Sequence, residues 1–349
     1  MTEPKTPALK AFSQSLDGLD VTPLWDRAES AMQPGTPCVP KLWRYADMRP
    51  RLIESASLIS EEAAERRVLM LENPKLRGSS FAATTLYAGL QIIMPGESAR
   101  SHRHTPSALR FLLEGEGGYT IVEGERVTMR PGDFVVTPSW SWHAHGNDGT
   151  GPVIWLDGLD TPFSRFFGAT FRENSGLANV PKIGEGTASA AYGSNLLPID
   201  CKPNNSGSPL LLYPYARTRE ALQQLSRQDR PHPAHGFKMR YTNPTTGGHP
   251  FPTMAVTMQL LPEGFCGAGY RSTESTVFAV VEGGGSVNTG SEKLKFTERD
   301  IFVIPSWCAY RLEADSETLL FGFSDRAAQE ALGFWREHLV ADDPRQQTR

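Results

Sequence analysis

Four of the eight histidines crowd into one stretch, as His102-Arg103-His104 and His143-Ala144-His145. In each pair the imidazoles are two residues apart. On a β-strand, positions i and i+2 face the same side, so each pair can point into one interior. Two such strands would bring three or four imidazoles together. Neutral imidazoles converging in a dry interior make a transition-metal site.

The elements that would position them are strands. Short apolar runs cut by Gly, Pro and Asp begin near residue 82: TTLYAGLQIIMPGE, SALRFLLEGEGGYTIVEG, ERVTMRPGDFVVTPS and GPVIWLDGLD. Strands and turns in close succession signal a sandwich or barrel. The same texture returns from 251 to 325. LQIIMPGESARSHRHTPSALRFLLEGEGG (90–118) aligns with MQLLPEGFCGAGYRSTESTVFAVVEGGGS (258–286), and GDFVVTPSW (132–140) with RDIFVIPSW (299–307). Turn residues recurring in order mark a duplicated β unit. In the second copy Tyr270 stands for His102, Ser272 for His104 and Tyr310 for His143. The unit therefore does not need its histidines to fold, and one metal per chain is expected, in the N-terminal copy.

The rest of the chain frames these two units. Residues 1–80 read as a helical or irregular entry segment, with a helix over LWDRAESAM (24–32) and EEAAERRVLMLENP (61–74) as a short helix running into a strand. Residues 81–160 form the metal-binding barrel. Residues 161–250, rich in Gly, Ser, Asn and Pro, form a connecting segment with one helix at TREALQQLSRQ (218–228). Residues 251–325 form the second barrel. In the closing stretch, 326–349, SDRAAQEALGFWREHL (324–339) reads as an amphipathic helix capped by Ser324 or Asp325.

Composition excludes several alternatives. With 349 residues, 39% of them hydrophobic, the chain can bury a core in each unit. A formal net charge of -4 argues against nucleic-acid binding. No apolar run is long enough to span a membrane, and MTEPKTPALKAF lacks the apolar stretch of a secretory signal. Cys38, Cys201, Cys266 and Cys308 are scattered without a CxxC, as expected of reduced thiols in the cytoplasm.

The motif Gly96-x5-His102-x-His104, followed by Gly115, resembles the first motif of the cupin superfamily, and Gly132-x5-Pro138-x4-His143-x3-Asn147 resembles the second. The resemblance implies an all-β bicupin, two jelly-roll β-barrels with a metal held by histidines inside the first. Two departures stand out. Ala108 and Leu109 occupy the place of the usual glutamate ligand, and Trp140 that of the usual glycine after Pro138. A three-His site leaves the full +2 charge on the metal. Open positions beside nitrogen ligands suit O2-activating iron, and the charge favours an anionic, bidentate substrate.

Within that superfamily, HRHTPSALRFLLEGEG, GDFVVTPSWSWHAHGN and WLDGLD look like the gentisate 1,2-dioxygenase family. The resemblance runs from about residue 40 to 335. It implies one Fe(II) per chain, held by His102, His104 and His143, and ring cleavage of gentisate (2,5-dihydroxybenzoate) with O2 to give maleylpyruvate. Salicylate or 1-hydroxy-2-naphthoate are the alternative substrates, and a non-catalytic ligand-binding bicupin the alternative class. Arg110, which shares strand parity with His102 and His104, would clamp the substrate carboxylate. His145 would bond the substrate and serve proton transfer. Asp157 would orient His145 or bond the substrate. Tyr87, Gln91 and Arg66 would line the pocket, although Gln91 recurs as Gln259 and so fits a structural role equally. Trp140 recurs as Trp307 and is read as packing. The family also implies a homotetramer acting on a small aromatic hydroxy acid, without nucleic-acid or membrane partners.

Overall fold

The structure is a computed structural model and describes residues 6–26, 33–175 and 184–340. These fall in two compact units, Met1–Gly35 and Thr36–Arg349. The first contains α1 (Pro7–Ser15), opened by the Thr6 hydroxyl accepting from the Leu9 amide at 3.3 Å, and a single 3₁₀ turn at Leu24–Asp26. Of the helix expected over 24–32, residues 27–32 lie outside the described residues, and the described part is this turn rather than an α-helix.

The second unit holds the sheets. Its first half runs β1 (Lys41–Trp43), α2 (Tyr45–Leu58), α3 (Glu61–Ala64), β2 (Arg67–Met70), β3 (Tyr87–Ile93), β4 (Ser98–His104), β5 (Ala108–Glu114), β6 (Gly118–Val122), β7 (Glu125–Thr128), β8 (Phe134–Thr137), β9 (His143–Asn147) and β10 (Val153–Leu159). The short elements α4 (Thr161–Phe166), β11 (Arg172–Asn174), β12 (Gly184–Glu185) and α5 (Thr187–Tyr192) follow. The second half runs β13 (Leu212–Tyr213), α6 (Tyr215–Gln228), β14 (Phe237–Arg240), β15 (Ala255–Leu261), β16 (Gly269–Ser272), β17 (Thr276–Glu282), β18 (Gly284–Asn288), β19 (Lys293–Thr297), β20 (Ile301–Ile304), β21 (Arg311–Ala314), β22 (Thr318–Ser324), α7 (Arg326–Ala331) and β23 (Glu337–Val340). The expected helix at 218–228 is α6, and the expected passage from helix to strand at 61–74 is α3 and β2.

The first half is two six-stranded sheets, ordered β13-β8-β5-β10-β3-β2 and β11-β4-β9-β6-β7-β12. The second repeats them as β1-β20-β17-β22-β15-β14, with β19-β18-β21 and β16-β23 opposite. This is the expected all-β bicupin architecture. Among the described residues the sheets of each half, two in the first and three in the second, stay separate leaves of a jelly roll and do not close into one hydrogen-bonded barrel. β5 reads as one apolar run, ALRFLLE, because both its faces are covered. Leu109, Phe111 and Leu113 face the other half, and Phe111 stacks on Phe321 at 4.0 Å between ring centroids. Arg110 and Leu112 face the interior of their own half.

The duplication extends further than the aligned sequences. β1 and α2 find counterparts in β13 and α6; the strands cross over, while α2 packs on β2 and β3 and α6 on β14 and β15. β1 joins the sheet of the second half through β20, while β13 joins that of the first through β8. The amide of Tyr45 donates to Asp300 Oδ1 and that of Tyr215 to Asp133 Oδ1, both at 2.8 Å. The Tyr45 hydroxyl and Arg49 bind Glu114, while the Tyr215 hydroxyl and Arg219 bind Glu282. Gly115 and Gly283, matched in sequence, have φ of +97° and +78°, and a Cβ on either would lie 2.3 Å from a carbonyl oxygen. Only glycine fits there.

The C-terminal expectation is corrected. α7 stops at Ala331, Gly333 turns the chain with φ +73°, and residues 337–340 become β23. The open edge of β16 supplies the reason: β23 pairs with it, Ser272 opposite Glu337, as β11 pairs with β4, His104 opposite Arg172. Backbone groups on a strand edge outweigh the helical periodicity of the sequence. Among the described residues no helix is long and apolar enough to cross a membrane.

Candidate metal centre

His102 and His104 come from β4 and His143 from β9, with His102 directly opposite His143 in the ladder. Their ligand nitrogens all lie within 4.8 Å of one another. The placement follows from strand parity, and the orientation from the backbone. His102 Nδ1 lies 3.1 Å from the Arg100 carbonyl, His104 Nδ1 2.7 Å from that of Pro106, and His143 Nδ1 2.8 Å from that of Ser141. A carbonyl only accepts, so each Nδ1 carries the proton and each Nε2 keeps a lone pair. All three Nε2 atoms are buried without a partner. Orphaned polar atoms of this kind are costly unless something binds them. Three convergent imidazole lone pairs, each ring fixed from behind, fit a metal ion. Burial holds the imidazoles neutral: His102 is lowered to about 3, with Arg66 assisting, His104 to about 4, and His143 well below the usual range. Ala108 stands where a carboxylate ligand would follow, and the metal group among the described residues contains these three histidines alone.

Beside the histidines lies a charged network from the facing sheet. Arg110 on β5 sits opposite Asp157 on β10, with Nε 3.5 Å from Asp157 Oδ1. Its Nη1 donates to Thr137 Oγ1 at 2.6 Å and its Nη2 to His145 Nε2 at 2.9 Å. A guanidinium cannot accept, so His145 bears its proton on Nδ1 and donates it to Thr120 Oγ1 at 2.8 Å. The Thr120 hydroxyl in turn donates a hydrogen bond to the Ala144 carbonyl at 3.1 Å. Asp157 therefore orients Arg110, not His145 as expected, and its second neighbour is the Trp155 indole, donating at 3.0 Å. The register explains this: Asp157 and Arg110 are cross-strand partners in one sheet, while His145 reaches in from the other.

The other expected residues fall around this network. Arg66, in the turn between α3 and β2, senses the charge of Asp157. It also lowers His102 and His104, which puts its field at the metal cluster. Tyr87 opens β3, and its hydroxyl is pushed well up by burial and by Asp157. Gln91 lies opposite Trp155 with Nε2 unpaired, and its twin Gln259 is equally buried and unpaired. Both are interior residues of the shared fold. Trp140 takes φ +62° and Trp307 +60°, which explains the glycine usual at that place. Their amides donate to the carbonyls of His104 and Ser272, and Arg103 and Arg271 stack on their rings. Thr120, Thr137 and Trp155 were missed from sequence, although Trp155 shares the parity of Asp157.

The net charge of the pocket follows. Burial lowers Arg110 to about 10, still cationic at neutral pH, and raises Asp157 above an ordinary carboxylate against the pull of Arg110. Arg110 and Arg66 face one carboxylate, one positive charge in excess. A divalent metal held by the histidines would add two more. Such a pocket attracts an anion with two negative oxygens.

In the second half the positions of the metal ligands are taken by other side chains. Tyr270 and Tyr310 face each other across an isolated bridge, as His102 and His143 do in the first half. Phe278 stands for Arg110 and packs in an aromatic cluster with Phe296 and Phe302.

Comparison with known proteins agrees with this geometry. A family model described as a cupin domain matches residues 89–158. The chain is 46% identical over 332 residues to gentisate 1,2 dioxygenase 1 of Aquipseudomonas alcaligenes, covering 94% of this chain and 95% of that protein. It is 36% identical to a gentisate 1,2-dioxygenase of Streptomyces sp, covering 90% of each. A crystal structure of a salicylate 1,2-dioxygenase from Pseudaminobacter salicylatoxidans superposes with a TM-score of 0.90 at 35% identity, over 97% of this chain and 99% of that one. Adducts of such an enzyme with gentisate superpose equally, with a TM-score of 0.90 at 35% identity, covering 97% and 96%.

Proposed function

The chain belongs to the gentisate 1,2-dioxygenase family of ring-cleaving dioxygenases, and on that premise we propose that it is an Fe(II) enzyme acting on gentisate. The ring would open between the carboxyl-bearing carbon and the adjacent hydroxyl-bearing carbon, giving maleylpyruvate. The observation that carries this reading is the set of three buried, unpartnered Nε2 atoms beside a pocket with excess positive charge. Iron on His102, His104 and His143 supplies open positions at which a hydroxy acid and O2 can meet.

The residues of the chain do the rest. Arg110 keeps N–H groups beyond those spent on Thr137 and His145, and these hold the substrate carboxylate. Asp157 and His145 fix the guanidinium from two sides, so that the ring is presented in one orientation. His145 enters as a neutral acceptor, already bonded to Arg110. Its proton-handling role runs through that bond, because Nδ1 is committed to Thr120. Arg66 adds charge that favours a dianion, and Tyr87 and Gln91 wall the pocket. We place the enzyme in the cytoplasm as a homotetramer, an assembly that light scattering tests directly.

The test is anaerobic loading with Fe(II), then gentisate and air, followed by oxygen uptake and by absorbance of the product. Salicylate is the second substrate to run, because the superposed structure is a salicylate 1,2-dioxygenase; 1-hydroxy-2-naphthoate is the third. Turnover of gentisate that disappears in His104→Ala supports metal and substrate together. Uptake with salicylate alone keeps the chemistry and moves the substrate. Iron bound at one per chain with no uptake on any of the three defeats the reading.

A further inference from the structure

The second half keeps a cavity of its own, about 380 Å³ in volume. Its place is fixed by register. Ala255 and Thr257 line it, paired with Ser324 and Gly322 as Tyr87 and Gly89 are paired with Leu159 and Asp157 in the first half. Lys238 on β14 sits opposite Gln259 as Val68 on β2 sits opposite Gln91. The cavity is therefore the twin of the substrate pocket, and this inference rests on the duplication rather than on the proposed reaction.

The twin has lost the metal ligands but is not apolar. Lys238, Arg230, Arg240 and Arg326 line it against Glu274 and Asp229, four cationic groups facing two carboxylates. Arg326 is already paired with Glu330 at 2.7 Å, and Glu274 accepts from the hydroxyls of Ser272 and Ser324. Lys238 is different. Among the described residues it makes no hydrogen bond or ion pair, and Glu274 attracts it without touching it. His235 also lines the cavity, its ring edge-on to Tyr270 at 4.3 Å, and its Nδ1 is buried without a partner. A half-buried cation without a partner and a buried, unpaired ring nitrogen lining the same cavity describe a site for an acceptor when His235 carries its proton on Nδ1.

We propose that this cavity is a second binding site, for a small organic monocarboxylate held by Lys238 and His235, with a hydroxyl or amine of the ligand donating to Glu274. The volume lies at the small end of ligand pockets and suits a single ring or a short chain. One point charge and one imidazole match a single carboxylate, and Glu274 repels a multiply charged anion such as phosphate.

Benzoate is the probe, with phosphate as the control anion. Calorimetric titration of the metal-free protein should show two benzoate sites in the unaltered chain, one in Lys238→Met and one in Arg110→Met. Phosphate should leave the Lys238 site empty. Lys238→Met removes the charge while keeping the apolar stem, and its melting curve reports whether it folds. A second measurement needs no variant: acetylation of Lys238 by an N-hydroxysuccinimide ester, read by peptide mass spectrometry, should slow about tenfold with benzoate at ten times its Kd. A Lys238→Met titration that superimposes on the unaltered protein, or an acetylation rate indifferent to benzoate, overturns the proposal.

Discussion

Arg110 donates to His145 Nε2 at 2.9 Å, and that one bond joins the two sheets of the first half across the metal pocket. It also decides which nitrogen of His145 carries the proton. The imidazole therefore holds the guanidinium from the metal side while Asp157 holds it from within its own sheet.

Replacing His145 should loosen Arg110 and weaken substrate binding. A hydrogen bond to a charged group is worth about 1.5–3 kcal/mol, so His145→Ala should lower kcat/KM by roughly 10- to 100-fold with iron content unchanged. Thr120→Val, which frees Nδ1, should give a smaller loss in the same direction. Steady-state kinetics beside metal analysis checks both, and a His145→Ala variant that loses its iron would contradict the assignment of that residue to Arg110.

Removing any one of His102, His104 or His143 should abolish stoichiometric iron binding, measured by metal analysis after anaerobic loading. In the unaltered chain, Fe(II) at 100 times its Kd should raise folding stability by about 2.7 kcal/mol, and chelation should reverse the gain. His145→Ala should retain that metal-dependent shift in melting temperature.

The metal-free protein should lose stability as the pH falls from 7 to 5. His102 and His104, lowered to about 3 and about 4, stay neutral in the fold at pH 5, as do His143 and His145. In the unfolded chain they protonate, which favours unfolding by about 2 kcal/mol for each histidine at pH 5. Asp160 and Asp325, both raised to about 6 by burial, act with the opposite sign. They take up protons in the fold first and return about 1 kcal/mol each over the same interval. The histidines win. Urea unfolding at the two pH values should show the net loss, and Asp160→Asn should make it steeper.

Phe321→Ala should cost about 3–5 kcal/mol, because the ring is fully buried and stacked on Phe111 between the halves. Denaturant unfolding measures the loss. A shift well below that range would mean that the two halves repack around the gap.

The convergence of His102, His104 and His143 was legible because strand parity is a local rule: two residues two apart share a face wherever the strand lies. The duplicated halves were legible because turns demand particular residues, as Gly115 and Gly283 show. The Arg110–His145 bond was not, since it joins strands of different sheets that no spacing relates. The equivalence of α2 and α6 did leave a trace. Tyr45-Ala46-x-x-Arg49 recurs as Tyr215-Ala216-x-x-Arg219, but short matches on helices lack the turn residues that made the strand repeats conspicuous. The end of α7 was hidden for another reason: the sequence around 337 keeps a helical period, and only the vacant edge of β16 converts it to a strand.

The crossed arms have a consequence for descent. β1 pairs into the sheet of the second half and β13 into that of the first, and the amides that open α2 and α6 reach across in the same way. Such reciprocity is the mark of an isologous dimer whose subunits exchanged their leading segments. Joining two copies end to end turns that dimer into one chain without altering a contact. A symmetric ancestor had to keep both centres or neither, since one gene wrote both. Within one gene the second copy is free of that constraint, and it carries Tyr270, Ser272 and Tyr310 in the places of the first copy's three histidines.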